Sequence, residues 1–283
     1  MDVLQQLEMT KAWQHGTPAY VISLPGGPRN SLLIGQLERQ GFFPILVEAV
    51  DGRDGSARSL DSRVDQKNFF GIHGRMPTGP EIGCALSHLL VAKLAHQAGH
   101  ESVLVVEEDA QIVGNISGIA SRFAEFGEPS ILTLFSLHPP VFRSKIIVGL
   151  DMDVPRALGR IFLPAETTVG YFINRSAIKL TCGVTLVKGL ADWPPWSYHA
   201  NFYACYPWPL SHSSDGSQIQ PGRTRLPSPV GRNIARLGAI GKTYDALLSR
   251  KARTYITELG GLQRYAARIL IPRLLRLLTR LSK

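Results

Sequence analysis

Ser102–Asp109 reads SVLVVEED. Four apolar residues, Val103 to Val106, run straight into three carboxylates, Glu107, Glu108 and Asp109. The apolar run predicts a buried strand. In open α/β sheets ligands bind at the carboxyl ends of strands, which is where these acids fall. If the extended conformation persists to Asp109, residues i and i+2 point to one side. Glu107 and Asp109 then share a face and Glu108 lies opposite. Two carboxylates a few ångströms apart repel unless one is protonated or a cation sits between them. A hard divalent cation, Mg²⁺ or Mn²⁺, suits an all-oxygen site and commonly bridges to substrate phosphates. The same acids would also suit a helix N-cap or a solvated turn, so the spacing alone leaves both readings open.

Working outward, strands alternate with helices. Residues 18–24, PAYVISL, read as a first strand. Asn30 or Ser31 can cap a helix to Gln40, with Gly41 as its C′ glycine. PILVEAV (44–50) reads as a second strand ending in Asp51-Gly52, and residues 51–77 as a long polar loop. Thr78-Gly79-Pro80-Glu81 fits a capping box, followed by Ile82, Leu86, Leu89, Leu90 and Leu94 at helical spacing until Gly99. Beyond the opening stretch, residues 117–126 read as a short helix. ILTLFS (131–136), IIVGL (146–150) and TVGYFI (168–173) read as strands, and a helix starts at Ser176. The alternation favours an α/β layered fold. Residues 191–230 hold Trp193, Trp196 and Trp208 and many prolines, and read as an ordered loop region.

The 283 residues are 44% apolar, enough for one sizeable core with an appendage. No run is long and apolar enough for a transmembrane helix. The first twenty residues carry Asp2, Glu8 and Lys11 and no apolar h-region, so no secretory leader is expected. Cys84, Cys182 and Cys205 are odd in number and widely spaced, which suits reduced cytosolic thiols.

The formal charge is +9, unevenly placed. Residues 1–230 hold 19 basic and 20 acidic side chains, whereas residues 231–283 hold 12 and 2. The body is therefore neutral and the tail strongly basic. That asymmetry argues against nucleic acid as a partner despite a pI of 9.7, because a groove would place charge on the folded domain. In the tail, LIPRLLRLLTRLSK (270–283) gathers leucines on one side of a helical wheel and Arg273, Arg276, Arg280 and Lys283 on the other. Such a helix fits an anionic membrane surface, although docking on the body is the alternative. The expected division is a domain over 1–230 and a basic, helical, membrane-associating tail over 231–283.

Several blocks, in order, resemble glycosyltransferase family 25, the lipooligosaccharide galactosyltransferase group. They are YVISLPGGPRNSLLIGQLERQG (20–41), VEAVDGRDG (47–55), PEIGCALSHLLVAKLA (80–95), VLVVEEDAQI (103–112), GYFINRSAIKL (170–180) and DW…PLSHSSDGSQI (192–219). The resemblance implies an α/β GT-A-like nucleotide-sugar-binding fold, with a mixed, mostly parallel sheet flanked by helices. It implies a UDP-sugar donor, a divalent metal (Mn²⁺ or Mg²⁺) and a lipid-linked oligosaccharide acceptor. The family's acid cluster usually reads E-D-D, and here it is E-E-D.

On that resemblance Glu107, Asp109 and His212 are the expected metal ligands. Ser23 at the end of the first strand, Arg29, Asp51, Gly52, Ser87, His88 and Glu108 are the expected nucleotide-sugar contacts. His88 serves either the donor or acid loop, or is a structural histidine. Inverting transfer needs a carboxylate to take the acceptor hydroxyl proton. Asp192, beside Trp193, is the expected base, with Asp215 in reserve. The implied protein is a UDP-sugar-dependent hexosyltransferase, galactose being the expected sugar, at the inner face of the cytoplasmic membrane. An inactive glycan- or nucleotide-sugar-binding relative is the alternative.

Overall fold

The computed structural model describes residues 16–24, 30–53, 60–73, 75–137, 139–140, 142–148, 156–161, 167–192 and 199–212. Arg29, Asp215 and the tail 231–283 lie outside the described residues, as do Trp193 and Trp196.

The chain begins with β1 (Thr17–Ser23), passes through α1 (Asn30–Arg39) and returns as β2 (Phe42–Glu48), parallel to β1. Gly41, at φ +77°, ends α1 in the left-handed region that favours glycine. A 3₁₀ turn (Asp61–Arg63) and α2 (Gln66–His73) precede the long helix α3 (Gly79–Gln97). β3 (Ser102–Glu107) then lies parallel to β1 on the side away from β2. There follow β4 (Ala110–Ile112), α4 (Ser117–Phe123), β5 (Ser130–Thr133), β6 (Phe142–Val148), β7 (Arg156–Ile161), β8 (Gly170–Asn174), α5 (Arg175–Cys182), β9 (Asn201–Tyr206) and β10 (Leu210–His212).

The main sheet has eight strands in the order β2-β1-β3-β8-β5-β9-β7-β6. Their pairings set β1, β2, β3, β5, β6 and β9 in one direction, with β7 and β8 opposed. This is the mixed, mostly parallel sheet expected from the sequence. β4 and β10 form a separate antiparallel pair.

Both faces of the sheet are covered, which is why β3 reads as an unbroken apolar run. Leu104 and Val106 join a core with Leu33 and Leu37 of α1 and Ile119 and Phe123 of α4. Val103 and Val105 join the other layer, with Val91 and Ala95 of α3 and Ala177 and Ile178 of α5. Each Val, Leu, Ile or Phe among them contributes about 1.5–3 kcal/mol on burial. Continuing the alternation, Glu107 emerges on the α3 side.

α3 starts as the sequence predicts. Thr78 accepts a hydrogen bond from Glu81 N, and Glu81 Oε2 accepts one from Thr78 N at 2.9 Å. Arg75 neutralises the buried Glu81 carboxylate at 2.7 Å. The helix sits directly on the chain leaving β2. A Cβ on Gly83 would stand 2.3 Å from Val50 O, and one on Gly52 would stand 2.0 Å from Gly79 O. Glycine is required at both positions by close backbone approach.

Two expected loop regions contain structure. Within 51–77, α2 buries Phe69 in a third core with Ile82, Leu86, Leu89 and Val187. Its apolar pattern is too short to stand out from the polar residues around it. Within 191–230, β9 lies inside the sheet between β5 and β7. Prolines and tryptophans on both sides mask NFYACY as a strand.

Candidate active site

The site forms at the carboxyl end of β3. The strand stops at Glu107, and Glu108–Asp109 make the turn into β4. The turn, not a continued pleat, separates the three acids, and each acquires a different partner.

Glu107 faces α3. Its Oε1 lies 3.1 Å from His88 Nε2 and accepts the Thr168 hydroxyl at 2.8 Å. Burial pushes its carboxyl pKa up, but the hydrogen bond and nearby charge of His88, the hydrogen bond from Thr168 and the charge of His212 outweigh that push and hold it below the usual carboxylate range. A carboxylate only accepts, which assigns the proton to His88 Nε2. In the neutral ring Nδ1 then accepts from the Tyr171 hydroxyl at 3.0 Å. Burial, with Glu107 close by, raises the Tyr171 phenol, so it stays protonated and able to donate. The result is a chain Tyr171–His88–Glu107–Thr168 that fixes both the charge and the direction of the carboxylate. His88 hydrogen-bonds the acid cluster, and both of its ring nitrogens are engaged within the fold.

Glu108 is held elsewhere. Its Oε2 accepts the Ser23 hydroxyl at 2.7 Å and its N–H donates to Ile22 O at 3.0 Å. Both contacts tie it to the end of β1.

Asp109 meets His212, whose Nε2 is 3.0 Å from Asp109 Oδ2. The β4–β10 pair makes this contact, because it sets His212 opposite Ala110, the residue after Asp109. The His212 ring stacks on Phe135 with centroids 6.2 Å apart and planes 15° apart. Two residues 103 positions apart in the chain are thus fixed by a three-residue strand pair.

The other expected residues surround this edge. Ser87 accepts Val50 N at 2.8 Å and donates to Gly83 O at 2.8 Å, which locks α3 to the end of β2. Its hydroxyl is thereby engaged within the fold. Asp51 forms an ion pair with Arg53 at 2.6 Å, and that guanidinium brings the Asp51 carboxyl down to about 2. Gly52 is the close-approach glycine described above. Asp192 is exposed, and its charge acts on the Cys84 thiol together with those of Glu107, Asp109 and Glu81. Burial first, then these four carboxylates, push that thiol well up. Ala191 lines a small, largely apolar cavity of about 30 Å³ whose polar end is His88, Thr168 and Tyr171.

Thr168, Tyr171, Phe135 and Cys84 were not singled out as site residues from the sequence. Thr168 and Tyr171 stand in TVGYFI, and Tyr171 pairs in register with Val105 of β3. Polar side chains within a run that is otherwise buried strand are the signal that would have found them.

The family described as glycosyltransferase family 25 (LPS biosynthesis protein) matches residues 16–136. That span runs from β1 past β5 and includes Ser23, Asp51, Gly52, Ser87, His88 and all three acids. It agrees with the first four blocks of the resemblance read from the sequence, and the blocks at 170–180 and 192–219, with Asp192 and His212, lie beyond it. A comparison with curated proteins finds no match. Among solved structures, the crystal structure of A197 from STIV is similar at a TM-score of 0.38 and 13% identity, over 70% of this chain and 86% of that one.

Proposed function

We propose, from the match of residues 16–136 to glycosyltransferase family 25, that the protein is a glycosyltransferase that moves a hexose, galactose, from a UDP-sugar to a lipopolysaccharide or lipooligosaccharide acceptor with inversion. The observation that carries this reading is the meeting of Asp109 and His212, 3.0 Å apart, at the turn that follows Glu107. In this reading the sheet is a GT-A-type nucleotide-sugar platform, with the donor lying across the carboxyl ends of β1, β2 and β3.

Asp109 and His212, a carboxylate and an imidazole in contact, would hold a divalent cation such as Mn²⁺ or Mg²⁺ with the Glu107 carboxylate as the further ligand. When bound there, the cation supplies charge neutralisation for the departing diphosphate. The chain's own residues do the rest. His88 and Thr168 keep Glu107 ionised and aimed. Ser23 turns Glu108 toward β1, so the E-E-D cluster works through its first and last members. Ser23, Asp51 and Gly52 stand at strand ends where a nucleoside can be framed. Asp192, exposed at the same edge, takes the acceptor hydroxyl proton. Asp215 remains the reserve base, and Arg29 a phosphate contact, both outside the described residues.

Among the described residues no helix is long and apolar enough to cross a membrane. The amphipathic segment 270–283 is proposed to hold the enzyme on the anionic inner surface of the cytoplasmic membrane, where a lipid-linked acceptor is presented.

The test is transfer from a panel of UDP-sugars to acceptor lipopolysaccharide with added Mn²⁺. The anomeric configuration of the product is read by NMR. Transfer of galactose with inversion supports the reading. Nucleotide-sugar binding without turnover would favour an inactive relative.

A further inference from the structure

We propose that Cys84 Sγ, His88 Nε2 and Glu107 Oε1 form a second cation site, one that selects a thiophilic divalent ion such as Zn²⁺. One ligand atom from each of the three residues lies within 4.8 Å of the others. Cys84 and His88 are four positions apart on α3, so the helix presents them on one face. His88 Nε2 and Glu107 Oε1 already stand 3.1 Å apart. Neighbouring ligands of a tetrahedral zinc, with arms of about 2.0–2.1 Å, stand about 3.3 Å apart. Two of the three ligands are therefore at coordination spacing, with the sulfur close by.

The donor set sets this site apart from the carboxylate-rich one. Sulfur, imidazole nitrogen and one carboxylate oxygen suit Zn²⁺ or Co²⁺, whereas Mg²⁺ and Mn²⁺ prefer oxygen. The supporting contacts are those a metal ligand needs. Tyr171 OH lies 3.0 Å from His88 Nδ1, and the Thr168 hydroxyl lies 2.8 Å from Glu107 Oε1. Such partners fix ring orientation and carboxylate direction.

Binding releases one proton. The Cys84 thiol gives its S–H proton to solvent and the sulfur binds the metal as thiolate. With Nε2 on the metal, the His88 ring carries its proton on Nδ1, where it donates to the Tyr171 oxygen. Three protein ligands leave a fourth position for water. Glu107 belongs to both sites, so an ion here withdraws a carboxylate from the pair proposed to serve the donor diphosphate. That consequence rests on the function proposed above, whereas the binding does not.

The experiment titrates metal-free, full-length protein with Co²⁺. A thiolate-to-cobalt charge-transfer band in the near ultraviolet is expected to saturate at one equivalent and to vanish on adding Zn²⁺. Cys84→Ser is expected to lose the band, Cys182→Ser to keep it, and His88→Gln to weaken binding at least about 10-fold. Far-ultraviolet circular dichroism of the metal-free variants checks their folding. Should Cys84→Ser fail to fold, zinc K-edge absorption of the wild type decides, with one sulfur expected among the ligands. No band, a band undiminished in folded Cys84→Ser, or a sulfur-free zinc shell overturns the proposal. None of these readings uses a sugar donor, so they stand or fall separately from transferase activity.

Discussion

Thr168→Val removes one hydroxyl from the site and keeps the branched shape of the side chain. Thr168 is buried, and its hydroxyl donates to Glu107 Oε1 at 2.8 Å. A hydrogen bond to a charged group contributes about 1.5–3 kcal/mol. The added methyl returns up to about 0.8 kcal/mol, so a loss of about 1–2 kcal/mol is expected at neutral pH. The sign with pH follows from Glu107. Its folded pKa lies below the usual value of 4.5, because its hydrogen bonds outweigh the upward push of burial. A lowered pKa contributes stability that is present above the unfolded value and lost as pH falls through the folded one. The penalty of Thr168→Val is therefore full near pH 7 and shrinks as the solution is acidified to about pH 3. Urea unfolding of both proteins at the two pH values, compared at equal m-value, reads it directly. A penalty of the same size at both pH values, or none at pH 7, would refute the claim that Thr168 helps keep Glu107 ionised.

Gly83→Ala is expected to lower Tm by several degrees, since its Cβ would meet Val50 O at 2.3 Å and overpacking of this kind costs about 1–3 kcal/mol; thermal melting checks it. Tyr171→Phe leaves His88 Nδ1 without the 3.0 Å partner and is expected to lower kcat while leaving KM for the donor nearly unchanged, measured by steady-state kinetics. The Cys84 thiol, raised by burial and four carboxylates, is expected to alkylate more slowly than an unfolded-chain thiol at neutral pH. Peptide mass spectrometry after iodoacetamide treatment, native against denatured, reads the difference.

Local signals made much of the fold legible before any coordinates. The Thr78 capping box, the apolar run of β3 and the glycine at Gly41 each act within a few residues, and each stands where the sequence placed it. β9 escaped because a strand inside a sheet is defined by its neighbours, β5 and β7, and not by its own flanking prolines. α2 escaped because Phe69, which it buries, is stabilised by α3 and by Val187, far along the chain. The site divides in the same way. The acids were visible as a charge cluster on an apolar strand, and the structure sets His212 beside Asp109. The partners of Glu107 were not visible, since Thr168 and Tyr171 come to it only through the antiparallel pairing of β8 with β3. The i, i+2 reading of the acids assumed an extended chain to Asp109. The turn at Glu108–Asp109 replaces that geometry and gives each acid its own partner.

The most direct test of the proposed activity is UDP-galactose turnover against Mn²⁺ concentration, in the wild type and in Asp109→Asn. That substitution keeps the side-chain shape and a hydrogen-bonding partner for His212 while removing the charge. Wild-type turnover is expected to require Mn²⁺ and to saturate with it, and the variant to fall at least about 100-fold. Undiminished turnover in the variant, or turnover indifferent to chelation of all divalent ions, would contradict the assignment of Asp109 to a cation that serves the donor.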